Sequence, residues 1–126
     1  MIIDTCVFIY LALQPDKITK KAKKALAENS LYISEITFLE LGFLIKKGRI
    51  SIPCTLAEFS DLVMEAHSIN SLCLTAEIIE QAMAFSDSMN MDPADRIISA
   101  TAVAHRTELI TADKNLRKND QVQTVW

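Results

Sequence analysis

Met1-Ile2-Ile3-Asp4-Thr5 is the segment from which the architecture of this chain follows. Two β-branched residues lead directly into a carboxylate and a hydroxyl, and an apolar run from Cys6 to Leu13 begins at once. The pattern predicts a short buried strand that ends at Asp4, with a helix leaving immediately after it. In open α/β sheets, ligands bind outside the carboxyl ends of the strands, so Asp4 is well placed for chemistry. The alternative is that Asp4 or Thr5 merely caps the helix.

Helical and extended patterns alternate along the rest of the chain. Helices are predicted at Thr19–Glu28, from a Ser34 cap to about Lys47, at Leu56–His67, after a Thr75 cap, and from Asp92 to near Arg106. Short strands are predicted at Leu31–Ile33, Ser71–Leu74, Glu108–Ile110 and Gln123–Trp126. We therefore expect one α/β domain over residues 1–126, a short parallel sheet flanked by helices on both faces.

Composition excludes several classes of protein. Half of the 126 residues are hydrophobic, yet no apolar run approaches the roughly 20 residues of a membrane span. Asp4 interrupts the first apolar run and no basic segment precedes it, so we expect no signal peptide. Three cysteines without C-x-x-C spacing argue against a disulfide framework and a zinc site. We expect reduced thiols and a cytoplasmic protein.

The net charge of −3 is not that of a typical nucleic-acid binder, which is usually basic. The basic residues are nevertheless clustered, first between Lys17 and Lys24 and again between Lys46 and Arg49. Each cluster is either a solvated helix face or a patch that steers phosphate, because local field matters more than total charge.

Four acidic residues occupy defined places in the predicted fold. Asp4 and Asp113 follow strands, and Asp95 falls in the first turn of a helix. Glu40 lies in the middle of a helix that is apolar nearly all round and is therefore expected to be buried. An unpaired buried carboxylate costs several kcal/mol, so Glu40 is paired with a base, protonated or serving a metal.

These acids are expected to converge, because the ends of parallel strands share one edge of the sheet. Four carboxylates in one cleft repel each other unless a divalent cation neutralises them, and oxygen ligands favour Mg²⁺ or Mn²⁺ over zinc. Such ions orient water and stabilise charge on a phosphate. With two glycines, the chain has no dinucleotide or P-loop motif that would offer a competing explanation.

Asp92 and Asp95 are expected to differ in role although three residues separate them. Asp92 precedes Pro93, and the residue before a proline is disfavoured in the helical region, which suits a helix N-cap. Asp95 lies inside the first turn and is expected to reach the sheet edge that carries Asp4.

The sequence resembles the PIN domain family, specifically the VapC-like ribonuclease toxins of type II toxin–antitoxin pairs. The resemblance spans essentially the whole chain and depends on the order and spacing of its motifs. The matching segments are Ile2-Ile3-Asp4-Thr5, Ser34-Glu35-Ile36-Thr37-Phe38-Leu39-Glu40-Leu41, Asp92-Pro93-Ala94-Asp95-Arg96-Ile97-Ile98-Ser99-Ala100-Thr101-Ala102, Leu109-Ile110-Thr111-Ala112-Asp113 and Thr124-Val125-Trp126.

The resemblance implies a PIN-like three-layer sandwich, Mg²⁺-dependent cleavage of RNA, a homodimer, and a small antitoxin protein that blocks the site. The acidic positions of the family correspond to Asp4, Glu40, Asp95 and Asp113. In this interpretation Asp4, Asp95 and Asp113 hold the metal and Glu40 positions or deprotonates the attacking water. Two hydroxyls, those of Thr5 and Thr111, match positions that support the site.

Two other functions are weighed against this one. A haloacid-dehalogenase-like phosphatase also begins with a strand ending in Asp, but it needs a second Asp where this chain has Cys6. A non-catalytic module that only binds RNA or protein would not need the full set of acids. Whether Arg96 or the lysine clusters contact RNA stays open, as does the identity of the RNA.

Overall fold

The computed structural model describes residues 1–86 and 92–126. This part of the chain contains five strands and six α-helices, with two helices between each successive pair of the first four strands, and two short 3-10 turns at Pro15–Lys17 and Leu116–Lys118. The strands are β1 (Ile2–Ile3), β2 (Leu31–Ser34), β3 (Ile69–Leu72), β4 (Leu109–Ile110) and β5 (Thr124–Val125). The helices are α1 (Thr5–Leu13), α2 (Lys20–Glu28), α3 (Ile36–Lys46), α4 (Leu56–Ala66), α5 (Ala76–Ala84) and α6 (Pro93–Ala104).

The strands form one parallel sheet, as the sequence predicts, and their order in the sheet is β3-β2-β1-β4-β5. Ile2 pairs with Tyr32 on one side and with Leu109 on the other, so β1 is central. The chain builds outward from β1 through β2 to β3, then returns to the opposite side of β1 for β4 and β5. This reversal opens a crevice between the carboxyl ends of β1 and β4, where ligands bind in sheets of this type.

Side chains of the sheet alternate between two hydrophobic layers. On one face, Ile3 and Ile110 pack with residues of α1, α2 and α4, including Phe8 and Phe59 in an edge-to-face contact with ring centroids 6.4 Å apart. On the other face, Ile2 and Leu109 pack against α5 and α6. Successive residues of a strand point to opposite faces, so two-residue strands suffice to fill both layers. The predicted sandwich with helices on both faces is confirmed.

Two predicted boundaries are wrong for tertiary reasons. Ser34 does not cap α3: it ends β2, and its buried hydroxyl accepts a hydrogen bond from Thr101 of α6 at 3.1 Å. The third strand lies two residues earlier than the predicted Ser71–Leu74, because Ile69 is the buried residue that pairs with Leu31. Leu74, which completed the apolar pattern in the sequence, is exposed instead.

The composition of helix α3 predicts a helix that is buried on all sides, and this prediction is wrong. Leu39 is 55% exposed and Phe43 is 50% exposed, while Leu41 is fully buried against the core. Leu39 and Phe43 are four residues apart and therefore form one apolar strip on the outer side of the helix. Within the described residues, no helix is both long enough and apolar enough to span a membrane.

Candidate metal centre

The carboxylate of Asp4 is buried at the carboxyl end of β1, where two side chains orient it. Its Oδ2 accepts hydrogen bonds from Oγ1 of Thr111 at 2.5 Å and from Sγ of Cys6 at 2.9 Å. Asp4 occupies the N-cap position of α1, but its side chain makes no capping hydrogen bond. Burial raises the pKa of Asp4, and the two donors partly offset that rise. The capping alternative is therefore wrong for this side chain.

The segment after β4 holds a second carboxylate by its backbone. Thr111 is fully buried, and its hydroxyl accepts the amide N–H of Asp113 at 3.0 Å while donating to Asp4. Oδ1 of Asp113 accepts the amide N–H groups of Asn115 at 2.7 Å and Leu116 at 3.0 Å. One carboxylate oxygen thus closes the following turn. Oδ2 of Asp113 has no donor among the residues that the structure describes.

Glu40 reaches the same region from the second turn of α3. The hydroxyl of Thr5 donates a hydrogen bond to Oε2 of Glu40, which links α3 to the start of α1. Burial is the main cause that raises the pKa of Glu40 to about 7, and the charges of Asp4 and Asp92 raise it by smaller amounts. The hydrogen bond from Thr5 lowers this pKa but offsets only part of the rise. Across residues 1–86 and 92–126, the single ion pair is Lys24–Glu28, so the salt-bridge alternative for Glu40 finds no partner there.

Helix α6 presents two acids in its first turn. Oδ1 of Asp92 accepts the amide N–H groups of Ala94 at 2.9 Å and Asp95 at 3.1 Å, which confirms the predicted N-cap. The Asp95 carboxylate receives no hydrogen bond from any described residue. Its pKa is raised to about 7, first by burial and then by the charges of Asp92, Asp4, Glu40 and Asp113 in that order.

Carboxylate oxygens of Glu40, Asp92 and Asp95 all lie within 4.8 Å of one another. We call these three residues the acid triplet. Asp4 and Asp113 lie outside it but are close enough for their charges to raise the pKa of Asp95. The structure thus brings all four acids singled out in the sequence to one edge of the sheet.

Asp92 is the residue that the sequence analysis missed as a member of this site, since it assigned Asp92 a capping role alone. The signal was present, because residues three apart on a helix lie on the same side. An acid that caps the helix carrying Asp95 must therefore lie near the Asp95 carboxylate. Asp92 both caps α6 and adds negative charge to the cluster.

The donor set fits a hard divalent cation. The acid triplet offers only carboxylate oxygens, which Mg²⁺ and Mn²⁺ prefer, and no cysteine or histidine of residues 1–86 and 92–126 joins it. The raised pKa values of Glu40 and Asp95 show that full ionisation of the cluster is unfavourable without a counter-charge. A bound cation would remove that penalty.

The guanidinium of Arg96 contacts the C-terminal end of α5. It donates hydrogen bonds to the backbone carbonyls of Ala82, Phe85 and Ser86 at 3.5, 3.2 and 3.3 Å. Arginine commonly satisfies carbonyls at a helix C-terminus in this way. These contacts give Arg96 a structural role at the end of α5. Lys47 and Arg49, in contrast, line a cleft of about 360 Å³ that also contains Glu40 and Asp92.

Comparison with known proteins agrees with this architecture. The sequence is 29% identical to Ribonuclease VapC22 of Mycobacterium tuberculosis, in an alignment that covers 100% of this chain and 98% of that protein. A toxin-antitoxin complex from Klebsiella pneumoniae contains a chain with 28% identity and a TM-score of 0.64, covering 96% of this chain and 93% of the other.

The VapBC2 complex of Rickettsia felis, solved with a DNA fragment from its promoter, has the same fold, with a TM-score of 0.73 at 15% identity. That likeness covers 98% of this chain and 95% of the matched chain. The model of the PIN domain matches residues 1–122. With a match over nearly its whole length, this chain belongs to the PIN domain family.

Proposed function

We propose that the protein is a Mg²⁺- or Mn²⁺-dependent endoribonuclease and the toxin of a toxin–antitoxin pair. The observation that carries the proposal is the convergence of the acid triplet with Asp4 and Asp113 at the crevice between β1 and β4. The relative named a ribonuclease and the similar chain from a toxin-antitoxin complex support the substrate class and the biological role.

Asp4, Asp95 and Asp113 are the proposed metal ligands, directly or through water. Thr111 fixes the orientation of the Asp4 carboxylate, and the turn after β4 fixes that of Asp113. Asp92 has one oxygen engaged in capping and lies beside Asp95, so it would contribute to the outer part of the same shell. When bound, the ion would supply positive charge for the phosphate and acidify a bound water.

Glu40 is the proposed base or water-positioning group. The Thr5 hydroxyl holds Oε2 of Glu40, which leaves Oε1 to accept a proton or to orient a water. Burial raises the pKa of Glu40 to about 7 in the metal-free protein, and burial favours the protonated form, so the ionised carboxylate takes up a proton more readily than an exposed one. Thr5 is thus a positioning residue for Glu40.

A small antitoxin is the proposed protein partner, in accordance with the Klebsiella pneumoniae complex. The exposed strip of Leu39 and Phe43 lines the same cleft as Glu40 and Asp92. A partner that buries this apolar strip would also cover the acids, so affinity and inhibition would arise from one contact. The substitution Leu39→Gln, which removes apolar surface without adding charge beside the acids, should weaken antitoxin binding in a pull-down while leaving cleavage of RNA largely intact.

A homodimer is also proposed, and a second exposed apolar pair supports it. Ile79 and Met83 lie four residues apart on α5, and 66% of Met83 is exposed. Exposed apolar side chains that share one helix face often mark protein–protein contacts. Light scattering should give twice the mass of the chain, and Met83→Glu should shift the protein toward the monomer.

The test of the proposed activity is cleavage of single-stranded RNA by the pure protein with Mg²⁺, with Mn²⁺ and with excess chelator. We expect cleavage only with a divalent cation, and none from the Glu40→Gln variant prepared in the same way. Mapping the cuts on total RNA would identify the substrate. Undiminished cleavage in chelator would refute the metal mechanism. RNA binding without cleavage under every condition would favour the non-catalytic binding module.

A further inference from the structure

A basic cleft lies on the β5 side of the sheet, apart from the cleft lined by Leu39 and Phe43. Its volume is about 450 Å³, and its lining consists of Lys21, Lys114, Arg117, Lys118, Thr124 and Trp126. We refer to these six residues as the basic cleft. It joins one lysine of the sequence cluster on α2 to the basic residues that follow Asp113, which are distant in the sequence. Among the described residues, none of the four cations of the cleft forms an ion pair.

One aromatic ring, that of Trp126, lines the basic cleft. Trp126 packs against Tyr10 with ring centroids 6.2 Å apart and an angle of 50° between the planes. Nζ of Lys17 lies 5.2 Å from the centroid of the Tyr10 ring. Trp126 is half-buried against the core, so the position of its indole is fixed while part of the ring faces the cleft. Fixed aromatic rings beside lysines are what single-stranded nucleic acids use for stacking and phosphate contact.

The backbone connects the basic cleft directly to the acids. The amide N–H of Thr111 donates to the carbonyl of Val125 at 3.2 Å, and the hydroxyl of the same threonine holds Asp4. Trp126 is the next residue after Val125, and Lys114 is the next residue after Asp113. The cleft and the acids therefore lie on the same carboxyl edge of the sheet, on neighbouring strands.

Electrostatics makes a separate binding surface necessary. The acid triplet with Asp4 and Asp113 repels phosphate, and the whole chain carries a net charge of −3. An RNA strand consequently needs cationic contacts outside the acids, since phosphate contacts supply most of the affinity for nucleic acid. The basic cleft supplies four cations together with a stacking ring.

We infer that the basic cleft binds the single-stranded RNA substrate on one side of the cleaved bond, with a base stacked on Trp126 and phosphates on Lys21, Lys114, Arg117 and Lys118. This inference rests on the proposed ribonuclease function and assigns its substrate-binding surface. An unpaired strand fits because duplex bases are already stacked on each other and cannot stack on the indole. Stacking tolerates every base, so the cleft would hold the strand without choosing its sequence.

The test uses the fluorescence of Trp126, the sole tryptophan in the chain. A single-stranded oligoribonucleotide is titrated into the full-length protein in chelator, so that binding is observed without cleavage. We expect saturable quenching and a log–log salt dependence with a slope of about −3, from roughly 0.7 per phosphate contact for four contacts. Duplex RNA of the same length should quench much less.

A matched pair of variants locates the contact. Lys21→Glu and Lys23→Glu make the same charge change two residues apart in the first turns of α2, but only Lys21 lines the cleft. We expect Lys21→Glu to weaken binding several-fold and to lower the salt slope by about 0.7, and Lys23→Glu to change both much less. Circular dichroism and melting temperature should be unchanged in both variants.

Four results would overturn the inference. The first is RNA binding, seen by anisotropy, without a change in Trp126 fluorescence, and the second is equal weakening of binding by both variants. The third is equal quenching by polyglutamate, which would show an acidic-peptide surface, and the fourth is absence of RNA binding. The outcome is separable from the cleavage assay, because binding is measured without metal. Cleavage with a silent Trp126 would refute only this inference, and quenching without cleavage would refute only the proposed nuclease.

Discussion

The strand-borne acids and the helix-borne acids meet at one edge of the sheet, but the fold treats them differently. Asp4 is held by Thr111 and Cys6, and Asp113 is held by the amides of its own turn. On the helix side, Asp95 receives no hydrogen bond within the described part of the chain, and its nearest charged neighbours are other carboxylates.

This difference separates two physical tasks. The strand-borne acids are oriented by hydrogen bonds within the protein, so we expect them to be preorganised for the proposed metal ligation. Among the helix-borne acids, charge repulsion is greatest at Asp95, whose pKa is raised to about 7 by burial and by the charges of four other carboxylates, while burial is the main cause of the rise at Glu40 and at the strand-borne Asp4. Cation binding should therefore lower the pKa of Asp95, on the helix side, most strongly. Removal of hydrogen bonds should disturb the orientation of the strand-borne acids most strongly.

The largest expected effect is that of Asp95→Asn. The amide keeps the shape of the side chain but removes one charge, so cleavage should fall by about a hundredfold or more, a loss typical of a removed electrostatic group in an active site. The melting temperature in metal-free buffer should stay the same or rise, because the repulsion with Asp92, Asp4 and Glu40 is relieved. If Asp95→Asn cleaved RNA at a near-normal rate and with the same dependence on Mg²⁺, Asp95 would not belong to the metal site.

Thr111→Val examines the strand side of the comparison. The variant leaves a buried carboxylate without one donor, and we expect a loss of about 1–3 kcal/mol in the free energy of unfolding. Cleavage should also fall, because Asp4 loses its fixed orientation. Thr107→Val, just before β4, is the matched control, since its hydroxyl makes no hydrogen bond to any described residue. Equal destabilisation by the two variants in urea unfolding would show that the Thr111 bond to Asp4 contributes little.

The pH dependence of stability tests the protonation of the helix-borne acids Glu40 and Asp95. The folded-state pKa values of Glu40 and Asp95, about 7, lie above their ordinary values. Between about pH 5 and pH 7, the native state therefore binds more protons than the unfolded state, and the free energy of unfolding falls as pH rises. The melting temperature of metal-free protein should be lower at pH 8 than at pH 5.5. Saturating Mg²⁺ should raise it at pH 8 but much less at pH 5.5.

The smallest effect is expected from Asp92→Asn. Asparagine caps a helix about as well as aspartate, so stability should change by only a few tenths of a kcal/mol. Because Asp92 lies in the acid triplet, cleavage should fall modestly, by less than the loss in Asp95→Asn. Asp92→Ala, which also removes the cap, should cost about 1 kcal/mol more. A larger loss of cleavage in Asp92→Asn than in Asp95→Asn would reverse the assigned roles.

Much of this architecture is readable in the sequence, for reasons specific to a few residues. β-branched residues before Asp4 and Asp113 predict buried strands. The carboxyl ends of the strands of a parallel sheet lie at one edge, independently of how the helices pack. The cap at Asp92 is local and was also predictable. Each of these features depends on residues that lie close together in the sequence.

The features that the sequence did not reveal all depend on tertiary packing. The hydroxyl of Ser34 accepts a hydrogen bond from Thr101 of α6 instead of capping α3. The third strand begins at the buried Ile69, which pairs with Leu31. The exposure of Leu39 and Phe43 depends on which side of α3 meets the core. The basic cleft joins Lys21 to Lys114, which only the folded chain brings together.

The central claim is that the acid triplet, with the strand-borne acids, binds a divalent cation. Isothermal titration calorimetry of Mn²⁺ into metal-free protein at pH 6.5, in buffers of different ionisation enthalpy, tests it most directly. We expect saturable binding accompanied by proton release, because Glu40 and Asp95 are partly protonated at that pH, and we expect this binding to be lost in Asp95→Asn. Binding that is unchanged in Asp95→Asn, or that releases no protons, would contradict it.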